Sequence, residues 1–248
     1  MCCFSGTVEY VSGTQIFAHG LPKGRQVLVY SMTLASVSDV AMILPIPTPR
    51  GAKDNALKFV DLSGYPTFFE DLASLFPPPA AMGSLDLGLK GSAPPLVVQK
   101  VGAFDASFVP SPSDFVRLDA RFRLPDAALA AMTSYADWGF AVFKLGARRT
   151  ATPFHPMAFT FPRRDPSKLF FPTVHVHDGV VHPTANFAHW LYAQLRSAAP
   201  TGWAQVQTPA ATRVDMARAR GLVDGDVGIA TVGLWGTRPN VDVVIDDR

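Results

Sequence analysis

Short apolar runs that are broken by proline constrain the fold of this chain more than any other feature. Residues 26–34 and 40–46 are rich in strand-forming residues, and the second run ends in the sequence Pro45-Ile46-Pro47. No apolar run approaches the ~20 residues needed to cross a bilayer. Many short strands with a few helices between them predict an α+β fold with a largely antiparallel sheet.

Four segments carry features of helices. Residues 66–76 begin with a proline and have acidic residues early, as the helix dipole favours. In residues 184–196, Phe187, Leu191 and Leu195 recur at the i, i+4, i+8 spacing of a helix face. Residues 125–135 and 213–220 are also predicted to be helical. The sequence thus predicts a few helices packed on the sheet.

The remaining patterns predict further strands and the domain organisation. Residues 7–10 and 14–18 are predicted to form a first hairpin around Ser12 and Gly13. Residues 139–145 are predicted to form a further strand. We expect one domain over residues 1–248, with a loop-rich junction near residues 77–95, where proline, glycine, alanine and serine concentrate. Residues 27–47 and 140–162 each run from a strand through a polar loop to an apolar strand that ends in proline, which suggests two similar halves.

Composition limits the class of function. Hydrophobic residues make up 48% of the chain and charged residues 17%, which is typical of a well-buried globular protein. The net charge is +2 and the basic residues are scattered, so we expect neither a nucleic-acid nor a membrane partner. The remaining partner classes are a small molecule or a protein. With no secretory signal pattern at the start, we predict a cytoplasmic location.

Several segments resemble a family of uncharacterised bacterial proteins, a domain of unknown function. The resemblance includes Val29-Tyr30, the run from Asp39 to Pro47, and an N-terminal cysteine-containing stretch. Further matching segments are Val101 to Ala106, Tyr135, Trp138-Gly139-Phe140 and His155 to Phe159. It covers roughly residues 1–175, and members of that family are usually exported. The resemblance implies a related fold and, because the family has no agreed activity, no function.

A histidine-rich segment follows that region. His175 and His177 are two residues apart, so in a strand both would face one side, about 7 Å apart. Asp178-Gly179 favours a two-residue hairpin turn that would return His182 on the neighbouring strand. Neutral imidazoles bind zinc, copper or iron, and we predict a transition-metal site here. The alternative is a solvated strand face. The candidate ligands are His175, His177, His182, His155, Asp178, Cys2 and Cys3.

Two other hypotheses remain open. If the initiator methionine is removed, the α-amine of Cys2 could act as base for its own thiol, as in N-terminal amidohydrolases, which makes Cys2 a candidate catalytic nucleophile. Cys2 and Cys3 are adjacent and poorly placed for a structural disulfide. The chain could instead be a non-catalytic binding or structural domain. His189, beside Trp190, is then a satisfied residue on a helix.

Overall fold

Strands dominate the protein. The computed structural model describes residues 3–77, 99–102 and 104–247. The strands are β1 (Cys3–Phe4), β2 (Tyr10–Leu21), β3 (Arg25–Ser36), β4 (Val40–Ile46), β5 (Lys58–Asp61), β6 (Gln99–Val101), β7 (Phe104–Val109), β8 (Gly139–Leu145), β9 (Arg148–Pro153), β10 (Met157–Pro162), β11 (Lys168–Phe171), β12 (Thr184–Gln194), β13 (Ala204–Gln205), β14 (Ala230–Pro239) and β15 (Val243–Asp246). The α-helices are α1 (Phe68–Ala73) and α2 (Asp126–Ala131), and short 3-10 turns occupy Pro22–Gly24, Pro112–Arg117, Ala120–Phe122, Thr133–Tyr135 and Ala210–Thr212.

The prediction of an α+β fold with packed helices is therefore wrong. Each α-helix within the described ranges has only six residues, and none is long and apolar enough to span a membrane. The two confirmed helices lie inside the segments predicted at residues 66–76 and 125–135, but both are shorter than expected. This is a β-rich fold whose helices serve as short connections.

Two large sheets organise the chain. Sheet I has the order β1-β4-β8-β7-β6, and sheet II has the order β13-β14-β12-β2-β3-β10-β5, with β9 also pairing with β3. A separate pair joins β11 to β15. Neighbouring strands are antiparallel throughout these sheets, apart from the parallel pair of β12 and β2. The predicted antiparallel character is confirmed.

The main core lies between sheets I and II and follows the two-residue period of a strand. On β3, Leu28, Tyr30 and Met32 point into this core, whereas Val27 and Val29 point to the opposite face. Strand β4 alternates in the same way between the main core and the outer face of sheet I. Both faces of these strands are covered, and this explains why their sequences are almost continuously apolar.

Non-strand segments cover the outer faces of both sheets. Helix α1 and turns from residues 206–229 pack on sheet II around Tyr65 and Phe68. Residues 115–135 pack on the outer face of sheet I, together with Val174 and Val176. The result is four layers, in which the two inner layers are the sheets.

The helix predicted at residues 184–196 is wrong, because this segment is strand β12. An i, i+4, i+8 spacing fits a strand as well as a helix, since every even offset returns to the same strand face. Leu191, Ala193 and Leu195 accordingly all lie in the main core. Pairing with β2 on one side and β14 on the other selects the strand. The predicted helix at residues 213–220 is also wrong, because this segment forms turns against the outer face of sheet II.

The predicted first hairpin is wrong as well. Residues 10–21 form one continuous strand, β2, and its pairing with β3 shifts register between Ser12 and Gln15. Gly13 has a φ of 59°, so the glycine makes a bulge inside the strand instead of a turn between two strands. In contrast, the strands predicted at residues 40–46 and 139–145 match β4 and β8 at both ends. Most of the predicted junction at residues 77–95 lies outside the described residues.

Candidate functional site

The histidine-rich segment runs beside the N-terminal strand instead of forming a hairpin. Cys3 of β1 pairs with Val176 in a single parallel bridge, and the backbone N–H of Phe4 donates to the carbonyl of Val176 at 3.0 Å. The chain does turn at Gly179, whose φ is 79°, and Asp178 accepts from the N–H of Val180 at 3.0 Å. The described residues show no strand ladder across this turn, so the predicted two-stranded hairpin is wrong.

His175 and His177 lie side by side as their spacing predicted. Their rings are stacked, with centroids 5.3 Å apart and planes 15° apart. His175 is 7% exposed. The Nε2 atoms of both rings are buried and have no hydrogen-bond partner among the described residues. Two neutral imidazoles with unused nitrogens therefore face the same interior space.

The structure adds a third ring, His189, which the sequence interpretation had placed on the surface or core of a helix. His189 is on β12, is fully buried, and its ring centroid lies 5.2 Å from that of His175. The ring of Phe187 contacts both, with its centroid 4.4 Å from His175 and 5.1 Å from His189. We call His175, His177 and His189 the histidine cluster. The alternation of Phe187, His189 and Leu191 on one strand face would have revealed it.

A buried polar network holds the backbone beneath the histidine cluster. The side chain of Asn240 accepts from the N–H of His175 at 2.7 Å and donates to the carbonyls of His175 and His182, both at 2.9 Å. Asp242 accepts from the N–H of Thr173 at 2.7 Å and from the hydroxyl of Tyr135 at 2.6 Å. These bonds fix the direction in which the histidine side chains leave the backbone.

Burial keeps the histidine cluster neutral. Desolvation lowers the pKa of His175 to about 2 and that of His177 to about 4. Desolvation also lowers the pKa of His189 far below its ordinary value, and repulsion between the protonated rings adds to this effect. Burial raises the pKa of the Asp242 carboxyl, while its hydrogen bonds oppose that shift. All three imidazoles are thus neutral at neutral pH, and Nδ1 of His189 accepts from the N–H of Ala188 at 3.1 Å.

Two of the predicted ligands pair with each other in solvent instead. Nε2 of His182 lies 2.9 Å from a carboxylate oxygen of Asp178, and the two side chains are 56% and 57% exposed. The hydrogen bond from His182 lowers the pKa of Asp178. The side chains of His182 and Asp178 are thus largely exposed, whereas the histidine cluster is buried.

The other predicted ligands are also separate from the histidine cluster. His155 precedes β10, with its ring 4.2 Å from that of Phe104, and strands β2 and β3 lie between β10 and β12. At about 4.8 Å per strand, that separation is roughly 14 Å. Cys3 is fully buried with Val176 in the core outside sheet I, on the face opposite to His175 and His177.

The predicted metal-ligand set is therefore not assembled. No group of three or more histidine, cysteine or acidic side chains that could hold a metal ion was found within residues 3–77, 99–102 and 104–247. Cys2 lies outside the described residues, so its role as an amidohydrolase nucleophile stays a prediction.

Comparisons with known proteins place the fold but show no family. No family model and no curated protein matches the chain. The resemblance to an uncharacterised bacterial family thus stays an untested prediction. Among solved structures, the chain is similar to baculovirus P35, with a TM-score of 0.54, 12% identity and coverage of 99% of each chain.

Two further similar structures also contain baculovirus P35. One is a mutated P35 after caspase cleavage, with a TM-score of 0.47, 12% identity and coverage of 96% of this chain and 100% of that one. The other is the caspase-8/P35 complex, with a TM-score of 0.44, 13% identity and coverage of 95% and 96%. Of these three structures, the first has a TM-score above 0.5 and bears on the fold of this chain. The chain shares the overall fold of baculovirus P35.

Proposed function

We propose that this chain is a non-catalytic protein that binds a protease of the caspase type. The observation that supports this proposal is the fold likeness to baculovirus P35, which extends over 99% of both chains. P35 has been described in complex with caspase-8. Of the three hypotheses drawn from the sequence, this proposal develops the non-catalytic binding domain.

The setting of the histidines supports binding over catalysis. His175 and His189 are buried against Phe187, where a substrate would have to displace packed side chains. His182 and Asp178 make a solvent-exposed pair on a turn. A general base has to be within hydrogen-bond reach of its substrate, and burial keeps His175 and His189 out of that reach.

The sequence of the predicted junction suggests how a protease could engage the chain. Residues 78–98 contain one acidic residue, Asp86, in a stretch whose composition predicts a loop. Exposed loops are the preferred sites of proteolysis. Caspases cut after aspartate, so Asp86 is the residue of this stretch that such an enzyme would recognise.

The proposal is tested by incubating the full chain with purified caspase-8 and with a second caspase. We expect loss of protease activity on a fluorogenic peptide at equimolar inhibitor, and co-elution of the two proteins in size-exclusion chromatography. Intact-mass spectrometry of the chain would locate any cleaved bond. Trypsin and papain serve as control proteases and should keep their activity.

A matched pair of variants makes the test specific. Asp86→Ala should abolish both cleavage and inhibition, whereas Asp126→Ala, an exposed aspartate at the start of α2, should change neither. Full caspase activity in the presence of a tenfold excess of the chain, without any complex, would overturn the proposal.

A further inference from the structure

We infer that strand β15 (Val243–Asp246) is the interface through which two copies of this chain pair edge to edge as a symmetric dimer. β15 is the outer strand of the two-stranded sheet that it forms with β11, and in the described part of the chain no strand pairs with its other edge. An open strand edge is a template for a further strand. This inference does not depend on protease binding.

The hydrogen bonds of β11 show which backbone groups of β15 point outward. Opposite residues of an antiparallel pair of strands alternate between pairs that exchange hydrogen bonds and pairs that do not. Phe170, which is opposite Val244, bonds through its N–H and its carbonyl to the side chain of Gln26, at 3.1 and 2.7 Å. The Phe170–Val244 pair is therefore a non-bonded one. The N–H and the carbonyl of Val244 thus point away from β11.

The end of the same strand shows this alternation independently. The N–H of Asp247 donates to the carbonyl of Ser167 at 2.8 Å, so these two residues form a bonded pair. Lys168 and Asp246, the next pair along the strands, therefore form a non-bonded pair. The backbone of Asp246 is oriented toward the open edge, as that of Val244 is. Two residues that are two positions apart thus direct their backbone groups outward, as a neighbouring strand requires.

The side chains of β15 do not protect this edge. Val244 is 53% exposed, and Val243 and Ile245 are only half-buried although they contact the main core. The charged residue of the strand, Asp246, is paired with Lys168 at 2.8 Å. Elsewhere the usual protection of edge strands is present, since β13 has two residues and β9 begins with two arginines. β15 therefore combines exposed apolar surface with outward backbone groups.

Symmetry and charge select the register of the pairing. Two antiparallel copies of β15 exchange backbone bonds only where outward-pointing residues lie opposite each other. With Val244 or Asp246 on the two-fold axis, two aspartates would lie opposite one another, which destabilises a sheet. With Ile245 on the axis, Val244 of each copy lies opposite Asp246 of the other. This register gives four backbone hydrogen bonds and a contact between the two Ile245 side chains.

Sedimentation equilibrium of the full chain, from low to high micromolar concentration, tests the dimer. We expect a reversible equilibrium between monomer and dimer. In the wild-type protein, the N–H of Val244 should exchange with solvent more slowly as the concentration rises. The N–H of Ile245, which is already bonded within the molecule, should not change. A Val244 amide that is protected in a monomeric protein would mean that the edge is occupied within one molecule, and would overturn the inference.

Two proline variants test the direction of the backbone groups. Val244→Pro removes an outward N–H and no bond to β11, so the protein should fold with an almost unchanged unfolding temperature. Its dimer should be at least about 10-fold weaker, because two of the four bonds between the copies are lost. Ile245→Pro removes a bond to β11 and should lower the unfolding temperature. An equal loss of stability in both variants would contradict the assigned orientation.

A pair of lysine variants tests the edge without a change of backbone. Val244→Lys places a charge on the open edge and should also weaken the dimer about 10-fold or more. Val116→Lys, at a 71% exposed valine on the turn Pro112–Arg117, is the matched control and should associate as the wild type does. A monomer at every concentration, or a dimer that forms equally well in Val244→Pro and Val244→Lys, would overturn the inference. No protease is present in these measurements, so their result is separate from that of the caspase assay.

Discussion

Two regions that are close in sequence place the same side-chain chemistry in opposite environments. His175 is 7% exposed and packs against Phe187 and His189. His182, seven residues later, is 56% exposed and pairs with Asp178. The composition of the segment does not distinguish these histidines. Their burial differs because β1 and β12 cover the first part of the segment, whereas the turn at Gly179 carries the second part into solvent.

This difference distinguishes histidines whose burial affects folding from histidines that lie on the surface. A buried histidine must be neutral or paired, and its neighbours must satisfy the backbone around it. An exposed ion pair contributes little, typically 0.2–1 kcal/mol. Changes near the histidine cluster should therefore affect folding strongly, and equivalent changes at the Asp178–His182 pair should be almost neutral.

Acid should produce the largest effect. Burial lowers the pKa values of His175 and His189 in the folded protein. Below pH 6.5, about the ordinary pKa of histidine, the unfolded chain therefore binds more protons than the folded protein. The stabilising effect of their neutrality is complete above pH 6.5 and is lost as the pH falls. Each histidine should contribute a loss of about 2 kcal/mol between pH 6.5 and pH 5. Urea unfolding of metal-free protein at several pH values measures this loss.

The variant His189→Gln tests the origin of this pH dependence. Removing His189 should reduce the slope of stability against pH by about 1.4 kcal/mol per unit, because one titrating group is gone. A stability that is flat from pH 7 to pH 5 would contradict the contrast between the two regions.

Asn240→Ala should have the next largest effect. The substitution leaves the N–H and carbonyl of His175 and the carbonyl of His182 without their partner. Each unsatisfied buried group costs about 1–3 kcal/mol, so we expect a loss of about 3 kcal/mol in the free energy of unfolding. Chemical denaturation measures it. Asn186→Ala, at an exposed asparagine on β12, is the control; an equal loss in both variants would show that the network has no special role.

Tyr135→Phe should have an intermediate effect. Its hydroxyl donates to the Asp242 carboxylate at 2.6 Å, and that carboxylate also supports the backbone of residues 173 and 174. Losing one hydrogen bond to a charged group should cost about 1.5–3 kcal/mol. Thermal unfolding compares it with Tyr10→Phe, at an exposed tyrosine. No difference between the two variants would mean that Asp242 does not depend on Tyr135.

Asp178→Asn should have the smallest effect. The substitution removes an exposed ion pair with His182 while the side-chain oxygen that accepts from Val180 remains. We expect the free energy of unfolding to stay within the error of a denaturation experiment, because an exposed ion pair contributes little. A loss as large as that of Asn240→Ala in the same denaturant assay would show that this turn is as important to folding as the histidine cluster.

Several features of the fold could be predicted from the sequence. Strands β4 and β8 were found at their full length because both faces of each strand are buried, which leaves a continuous apolar run between polar or proline-containing ends. The shared orientation of His175 and His177 was predicted for a similar reason. Their spacing of two residues matches the period of extended backbone, and only local geometry was needed.

Predictions failed where two local structures fit the same pattern. Phe187, Leu191 and Leu195 satisfy both a helical and an extended period, and the helical reading placed His189 opposite the apolar stripe instead of within it. Gly13 fits either a turn or a bulge. The choice in each case depended on partners distant in sequence, β14 and β2 for residues 184–194 and β3 for Gly13.

The sequence by itself thus determined that residues 40–46 and 139–145 are extended, that the sheets are largely antiparallel, and that His175 and His177 share a side. Only the tertiary structure decided that His189 completes the histidine cluster and that His182, His155 and Cys3 do not. The physical reason is that burial and contact between residues from separate strands come from long-range pairing. Local propensity carries no information about which strands will be neighbours.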